Sequence, residues 1–455
     1  MGGLPKYATD PRNQREHVGF DPLPGRDGDL RVPSQRDHDR LFYSPYWQRL
    51  SGVTQVAAAG ELFLLHNRLT HSLKVSQVGL RLAQLLGKRQ SKIANMLRLD
   101  ANVVETAGLA HDIGHPPFGH IAEDELDQIL QERELRFNGN AQTFRIVTKL
   151  APRKRPEISE DGRPWKLHGL DLTRATLNAI LKYPAFEQDR LAVPSVEERW
   201  RVQNWGVYES EKASFAFARR DMAEQIGHRT PEAILVDWSD DVSYATHDIE
   251  DYVRAGLIRF AEFDDSARAR LLESMERRFM RLGVQYDSRR VEAAIYAFAP
   301  PVRSAYLGDF SAEHDLRDWV SRRVTQFSNA VALTDDPPWV TFQDIDAMYS
   351  VEVLKAIIRN YVIRQPAFAA SQEGQRRIIR EVFERLEAWI NHGTVLPRRL
   401  AELLYVIRTE DLGTPERNNA RVIADYICSL TEKQLCDLHA RLSSGTGQSM
   451  VQSWL

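Results

Sequence analysis

Residues 101–123 read ANVVETAGLAHDIGHPPFGHIAE. The stretch 101–113 is an amphipathic helical pattern that runs into the turn Gly114-His115-Pro116-Pro117, where paired prolines stop a helix. His111 and Asp112 therefore close a helix whose body is apolar. Upstream, 72–87 (SLKVSQVGLRLAQLLG) is a second amphipathic helix, opened by His71. Leu41, Phe42, Tyr46, Trp47 and Leu50 fall near helical spacing. Downstream, 121–134, 141–150 and 172–182 predict helices, and 211–227 and 231–257 do so strongly. The segments 265–282, 288–297, 346–364, 372–391, 397–409 and 419–443 continue the pattern through the C-terminal third. Residues 186–210 fit neither period. The stretch 151–169 (APRKRPEISEDGRPWKLHG) is polar and rich in Pro and Gly, which predicts a loop or short surface excursion. No alternating pattern is long enough to build a sheet, so the expected class is mainly α.

At 455 residues the chain exceeds one ordinary compact core. The expected division is an extended N-terminal arm over 1–39, rich in Gly, Pro, Asp and Arg, a helical core over 40–260, and a C-terminal helical region over 261–455 that serves packing and oligomer contacts. Hydrophobic residues make up 43% and charged residues 27% of the chain, which suits a soluble globular protein. A formal net charge of −3 argues against a surface built throughout for nucleic acid. Cys428 and Cys436 are the only cysteines, so disulfides do not frame the fold and a reducing compartment is the natural setting. The N-terminus has no apolar signal region, Lys6 occupies the position where a myristoylation motif wants Ser or Thr, and no apolar run approaches the ~18 residues of a membrane span. The expectation is a cytoplasmic protein with no membrane partner.

A His-Asp dipeptide occurs four times, at His38-Asp39, His111-Asp112, His247-Asp248 and His314-Asp315, so the pair alone says little. Context singles out the second. Five of thirteen histidines, His66, His71, His111, His115 and His120, fall between residues 66 and 120. Imidazole nitrogen and carboxylate oxygen are ligands of choice for Fe, Mn, Zn and related ions. Asp240, Tyr244 and Asp248 are spaced four apart, which places them on one helical face.

The ordered segments Arg68-Leu-Thr-His71-Ser72, His111-Asp112-Ile-Gly-His-Pro-Pro-Phe-Gly-His120 and Glu123 resemble the deoxynucleoside triphosphate triphosphohydrolases of the HD superfamily, the bacterial dGTPase-like enzymes. Phe137-Asn-Gly-Asn-Ala-Gln-Thr-Phe-Arg145, the segment Asp237–Asp248 and Arg421-Val-Ile-Ala-Asp-Tyr-Ile427 agree with that resemblance. It implies an HD-domain helical core and one divalent metal ion (Mn, Mg, Fe, Co or Zn) held by His71, His111, Asp112 and Asp240, with further Mg on the triphosphate. Water would attack the α-phosphorus of a dNTP, giving deoxynucleoside and inorganic triphosphate. His120 would act as general acid, Glu123 would orient His120 or the water, and His115 would hydrogen-bond a phosphate oxygen. Arg68 would face the triphosphate. Tyr244 would pack on the sugar and exclude a 2′-hydroxyl, while Asp248 and Gln55 would contact the 3′-hydroxyl. The resemblance also implies a homo-oligomer, a hexamer above all, and a dNTP or single-stranded DNA effector.

The match has departures. Asn138 stands where relatives often carry an acid, Ala122 where glycine is common, and Asn204 where many members have lysine. Two other readings share parts of the pattern. Another HD-type nucleotide phosphohydrolase or phosphodiesterase would use the same ligands without needing Tyr244 and Asp248. A nucleotide- or DNA-binding regulatory protein would draw on basic runs such as 151–155 and 216–220, which read equally as solvated surface.

Overall fold

The computed structural model describes residues 10–19, 21, 28–55, 67–153, 155–191, 204–222, 227–258, 265–282, 284–297, 306–360, 366–393, 395–410 and 412–444. The N-terminal half contains helices α1 (Pro33–Phe42), α2 (Pro45–Gln48), α3 (Arg68–Arg89), α4 (Ser91–Leu97), α5 (Ala101–Ala110), α6 (His120–Gln131), α7 (Gly139–Arg145), α8 (Arg174–Ile180), α9 (Lys212–Ala218), α10 (Pro231–Ser243) and α11 (Ile249–Arg254). The C-terminal region adds α12 (Asp265–Leu282), α13 (Ser288–Ala297), α14 (Phe310–Ser328), α15 (Ile345–Ile358), α16 (Pro366–Asn391), α17 (Arg398–Ile407), α18 (Pro415–Ile427) and α19 (Glu432–Ser444). Strands among the described residues form two antiparallel pairs: β1 (Glu157–Ile158) with β2 (Pro164–Lys166), and β3 (Val331–Leu333) with β4 (Val340–Phe342). The class is mainly α, a helical core followed by a C-terminal helical region.

The centre is a bundle in which α3 packs against α5 and α10, and α5 also packs against α1 and α8. Local chemistry starts each helix. The Asn67 side chain accepts from Thr70 N to open α3, Asp100 accepts from Asn102 N to open α5, and Thr230 caps α10 with Pro231 in its first turn. Val75, Val78, Leu82 and Leu86 form the buried stripe of α3. Glycines set how closely the three helices cross. A Cβ at Gly108 would lie 2.9 Å from Ser76 Cα, and one at Gly79 would lie 2.9 Å from Val104 Cγ1 and 3.3 Å from Ser239 Oγ. One apolar cluster runs from Leu41 and Val104 through Ile357 to Leu386, so the C-terminal helices share the core with the bundle.

Several expectations are corrected. Helix α1 begins at Pro33, inside the stretch read as an arm, and Arg15 of that stretch is buried against Asp37, Asp21 and the carbonyl of Asp171. The expected helix 231–257 is interrupted by a π turn over Tyr244–Asp248. The expected helix 419–443 is two helices. Thr431 starts the second with a reciprocal cap, in which Gln434 N donates to Thr431 Oγ1 (3.3 Å) and Thr431 N donates to Gln434 Oε1 (2.9 Å). Helix α14 was not anticipated. The expected helix 211–227 is confined to Lys212–Ala218 and a short turn, with 223–226 outside the described residues, as are 192–203 of the ambiguous stretch and 361–364 of the expected helix 346–364. The 151–169 excursion is the β1–β2 hairpin, laid against α17.

A buried charge network joins the two halves. Arg145 donates to Asp425 (2.8 Å), Glu211 (2.7 Å) and Glu410 (2.9 Å), and Lys149 adds bonds to Glu211 and Glu410. Burial alone would raise the Glu410 carboxyl, but Arg145 and Lys149 hold it down at about 2. Removing one partner from such a cluster strands the remaining charges. Arg145→Ala is expected to cost about 3–5 kcal/mol in denaturant unfolding. The folded Glu410 titrates below its ordinary value of 4.5, so its contribution is complete above about pH 4.5 and fades as pH falls toward 2. Stability measured between pH 7 and 3 should therefore drop less in the Arg145→Ala protein than in wild type.

Candidate metal and catalytic site

The close crossing of α3, α5 and α10 brings three side chains from distant sequence together. His71 Nε2 lies 3.1 Å from Asp240 Oδ1, His111 Nε2 lies 3.7 Å from the same oxygen, and the two imidazole rings are 5.4 Å apart. One donor atom from each of His71, His111 and Asp240 falls within 4.8 Å of the others. His111 Nδ1 sits 2.7 Å from the Gly108 carbonyl, so Nδ1 carries the proton and Nε2 presents its lone pair to the cluster. That Nε2 is buried with no hydrogen-bond partner. An orphaned imidazole nitrogen beside a second imidazole and a carboxylate fits a divalent cation. Asp112 adjoins the set, with Oδ1 at 3.5 Å from His111 Nε2.

The carboxylates are kept charged although Asp112 is buried and Asp240 half-buried. Burial would raise Asp240, but Lys182, His71 and His111 hold it far below the ordinary carboxylate range. Lys182 Nζ bridges Asp240 Oδ2 (3.2 Å) and Asp237 Oδ1 (2.9 Å). Burial likewise opposes an ionised Asp112, and Arg68, His111 and His115 overcome it. Arg68 Nη1 donates to Asp112 Oδ2 at 2.5 Å, while its Nε and Nη2 are buried without partners. A Cβ at Gly119 would lie 2.7 Å from Arg68 Nη2, so only glycine leaves the guanidinium room there.

A second group stands at the start of α6. His120 Nδ1 is 2.9 Å from Glu123 Oε2, and Gly139 N donates to Glu123 Oε1 at 2.6 Å. Burial works against the Glu123 carboxylate, but His120, His115 and the Gly139 N–H hold it at about 2. His115 lies between the groups, 3.1 Å from Asp112 and 3.7 Å from Glu123, and burial with Arg68 nearby pushes it toward the neutral form. The turn is pressed onto α7: a Cβ at Gly114 would lie 2.2 Å from Gly139 O. Asn138 caps α7 through Asn140 N and Ala141 N, a role Asn and Asp fill equally well.

These residues open on a cavity of about 550 Å³. Its walls include Gln55, Arg68, His111, Asp112, His115, His120, Glu123, Asp240 and Tyr244. His71 lies behind the wall, against Asp240. Asp248 is not on the wall either. The π turn rotates it off the Asp240–Tyr244 stripe, and it is buried with Oδ2 unpartnered. His66 lies outside the described residues. Lys182, Lys355, Arg359 and Asp241 line the cavity and were not anticipated. Lys355 donates to Asp241 at 2.7 Å, while burial, with Asp237 and Glu352 nearby, pushes Asp241 up to about 6. In sequence these lysines and this arginine look like any surface cation on a helix. Asn204, at the position where relatives have lysine, also lines the cavity.

The family model of the HD domain matches residues 68–245, the span that carries both groups, and that of the phosphohydrolase-associated domain matches residues 345–441. Fold and site thus define an HD-domain hydrolase, a class whose domain binds divalent metals. The chain belongs to the family of deoxyguanosinetriphosphate triphosphohydrolase-like proteins. It is 32% identical to such a protein of Streptomyces coelicolor over 96% of each chain. It is 30% identical to one of Shewanella pealeana over 94% of this chain and 95% of the relative, and 29% identical to one of Vibrio vulnificus over 92% and 94%.

If His71, His111 and Asp240 share one cation, His111→Ala or Asp240→Ala should weaken Mn²⁺ binding by at least about tenfold in titration calorimetry. Gly108→Ala touches no donor but forces α3 from α5, and should weaken it as well. Unchanged affinity in the two donor variants would remove the site.

Proposed function

We propose that this protein hydrolyses deoxynucleoside triphosphates to deoxynucleoside and inorganic triphosphate. The observation that carries this reading is one cavity in which the HD donor cluster, unpaired guanidinium nitrogens of Arg68 and the Tyr244 ring all meet. His71, His111, Asp112 and Asp240 would hold a divalent cation, which when bound polarises a phosphoryl oxygen and acidifies water.

The chain's own residues do the rest. Arg68 Nε and Nη2 bind phosphate oxygens, with Lys182, Lys355 and Arg359 around the same cavity. His115 donates to a further phosphate oxygen. Water adds to the α-phosphorus and the bond from phosphorus to the 5′-oxygen breaks. That alkoxide needs a proton. Glu123 accepts from His120 Nδ1, which leaves His120 Nε2 to deliver it. Glu123 stays ionised to low pH, so its Oε2 remains an acceptor that holds His120 in this orientation. The Tyr244 ring packs on the deoxyribose and leaves no room for a 2′-hydroxyl. Gln55 Oε1, buried and unpartnered on the cavity wall, is offered to the 3′-hydroxyl, while Asp248, rotated off that wall, does not reach it.

The names of the relatives make dGTP the first substrate to try. With Mn²⁺, and with other dNTPs or single-stranded DNA present as effectors, at least one of the four dNTPs should release triphosphate. His120→Ala should lower kcat about 10²–10⁴-fold. Tyr244→Ala should raise turnover of the matching ribonucleotide relative to the dNTP. If no dNTP is cleaved under any of these conditions, the reading fails; if activity survives Tyr244→Ala with sugar preference unchanged, another HD hydrolase chemistry replaces it. The same reading expects a homo-oligomer, and a light-scattering mass of one subunit would contradict that part.

A further inference from the structure

The turn that presents His120 is backbone-strained. Phe118 has φ 66° and Gly119 φ 58°. A bulky residue in the left-handed region persists only where its surroundings over-determine it. Here the surroundings come from the far end of the chain. Phe118 N donates to Glu432 Oε1 at 3.2 Å. The same oxygen accepts from Thr54 N at 2.7 Å, and Glu432 Oε2 accepts from Thr54 Oγ1 at 2.7 Å. Thr54 is the neighbour of Gln55.

Arg49 fixes the other side of the turn. Its Nη2 donates to the carbonyls of Ile113 (3.1 Å) and His115 (2.7 Å), and its Nη1 donates to Leu430 O (3.0 Å). Gly52 completes the joint, because a Cβ there would lie 2.9 Å from Thr431 Cβ. Both charged side chains are buried, Arg49 at 6% and Glu432 at 8% exposure. Three segments, 49–55, 113–118 and 430–432, thus meet at one joint made by an arginine that holds carbonyls and a carboxylate that holds N–H groups.

We propose that Glu432 is a positioning residue for the reaction. It sets the backbone at Phe118, hence the start of α6 and the placement of His120, and through Thr54 it sets Gln55 at the same time. The C-terminal region thereby governs the proton donor and the sugar contact with one carboxylate. The proposal rests on the hydrolase reading above for the roles of His120 and Gln55. Its chemistry is specific. Glutamine at 432 keeps one oxygen for the two N–H donors and can turn its amide toward the Thr54 hydroxyl, which is both donor and acceptor. Aspartate keeps the charge but is one methylene shorter and cannot reach Thr54 and Phe118 together. Alanine removes all three bonds.

The test compares Glu432→Ala, Glu432→Asp and Glu432→Gln in the full chain by hydrogen exchange of peptides covering 111–123 and by steady-state kinetics. Displacing a catalytic group by about 1 Å can cost 10²-fold, so Glu432→Ala is expected to lower kcat about 10–100-fold, with KM within about threefold. Exchange of the catalytic turn should rise about tenfold or more as the joint opens. Preference for a dNTP over its 3′-deoxy analogue should narrow. Glu432→Gln should restore all three readouts, and Glu432→Asp, which serves if the alanine variant does not fold, should behave as alanine does. A loss of thermal stability with kcat of the folded enzyme within about twofold of wild type, or an unchanged exchange rate in the turn, overturns the proposal. Should wild type cleave no dNTP, the substrate reading falls on its own. Exchange of the turn, with turnover of bis-p-nitrophenyl phosphate, then still decides the role of Glu432.

Discussion

The structure depends on how closely α3 can approach α5. Gly108 places bare backbone against Ser76, and Gly79 does the same toward Val104 and Ser239. A side chain at either position would hold the helices apart. At this spacing His71, at the start of one helix, His111, at the end of another, and Asp240, in the middle of a third, point their donor atoms at one point. The site is a consequence of helix crossing, and its precision is that of packed backbone rather than of flexible loops.

That crossing buries carboxylates, which burial alone would neutralise. The chain answers with cations drawn from other elements: Arg68 on Asp112, Lys182 on Asp237 and Asp240, Lys355 on Asp241. Lys355 belongs to the C-terminal region. So do Asp425 and Glu410 around Arg145, and Glu432 behind the catalytic turn. The C-terminal helices therefore complete the electrostatics of the site and fix its backbone, besides covering the apolar face of the bundle. The cavity wall is likewise shared, since Arg68 and Tyr244 come from the HD domain and Lys355 and Arg359 from the C-terminal region.

Much of this was legible in the sequence, and for local reasons. His71, His111, Asp112, His115, His120 and Glu123 sit at helix ends marked by caps, prolines and apolar periodicity. Asp240 and Tyr244 share a face because four-residue spacing holds in an α-helix. Asp248 leaves that face because a π turn is a tertiary choice with no local signature here. The break before α19 was written in Thr431 and Gln434, a capping pair masked by apolar periodicity that continues across it. Helix α14 buries Leu316, Trp319, Val320 and Phe327, but its many charges blur the stripe. Lys182, Lys355, Arg359 and Glu432 could not be read at all. Their roles come from partners tens to hundreds of residues away, and single charges on helices carry no mark of such partners.

The central claim is that water attacks the α-phosphorus and the deoxynucleoside leaves intact. Phosphorus NMR of a dNTP reaction in ¹⁸O-enriched water tests it most directly. The account predicts inorganic triphosphate with one ¹⁸O on a terminal phosphate, beside an unlabelled deoxynucleoside. Orthophosphate or pyrophosphate as the first product, or ¹⁸O in the nucleoside, would contradict it.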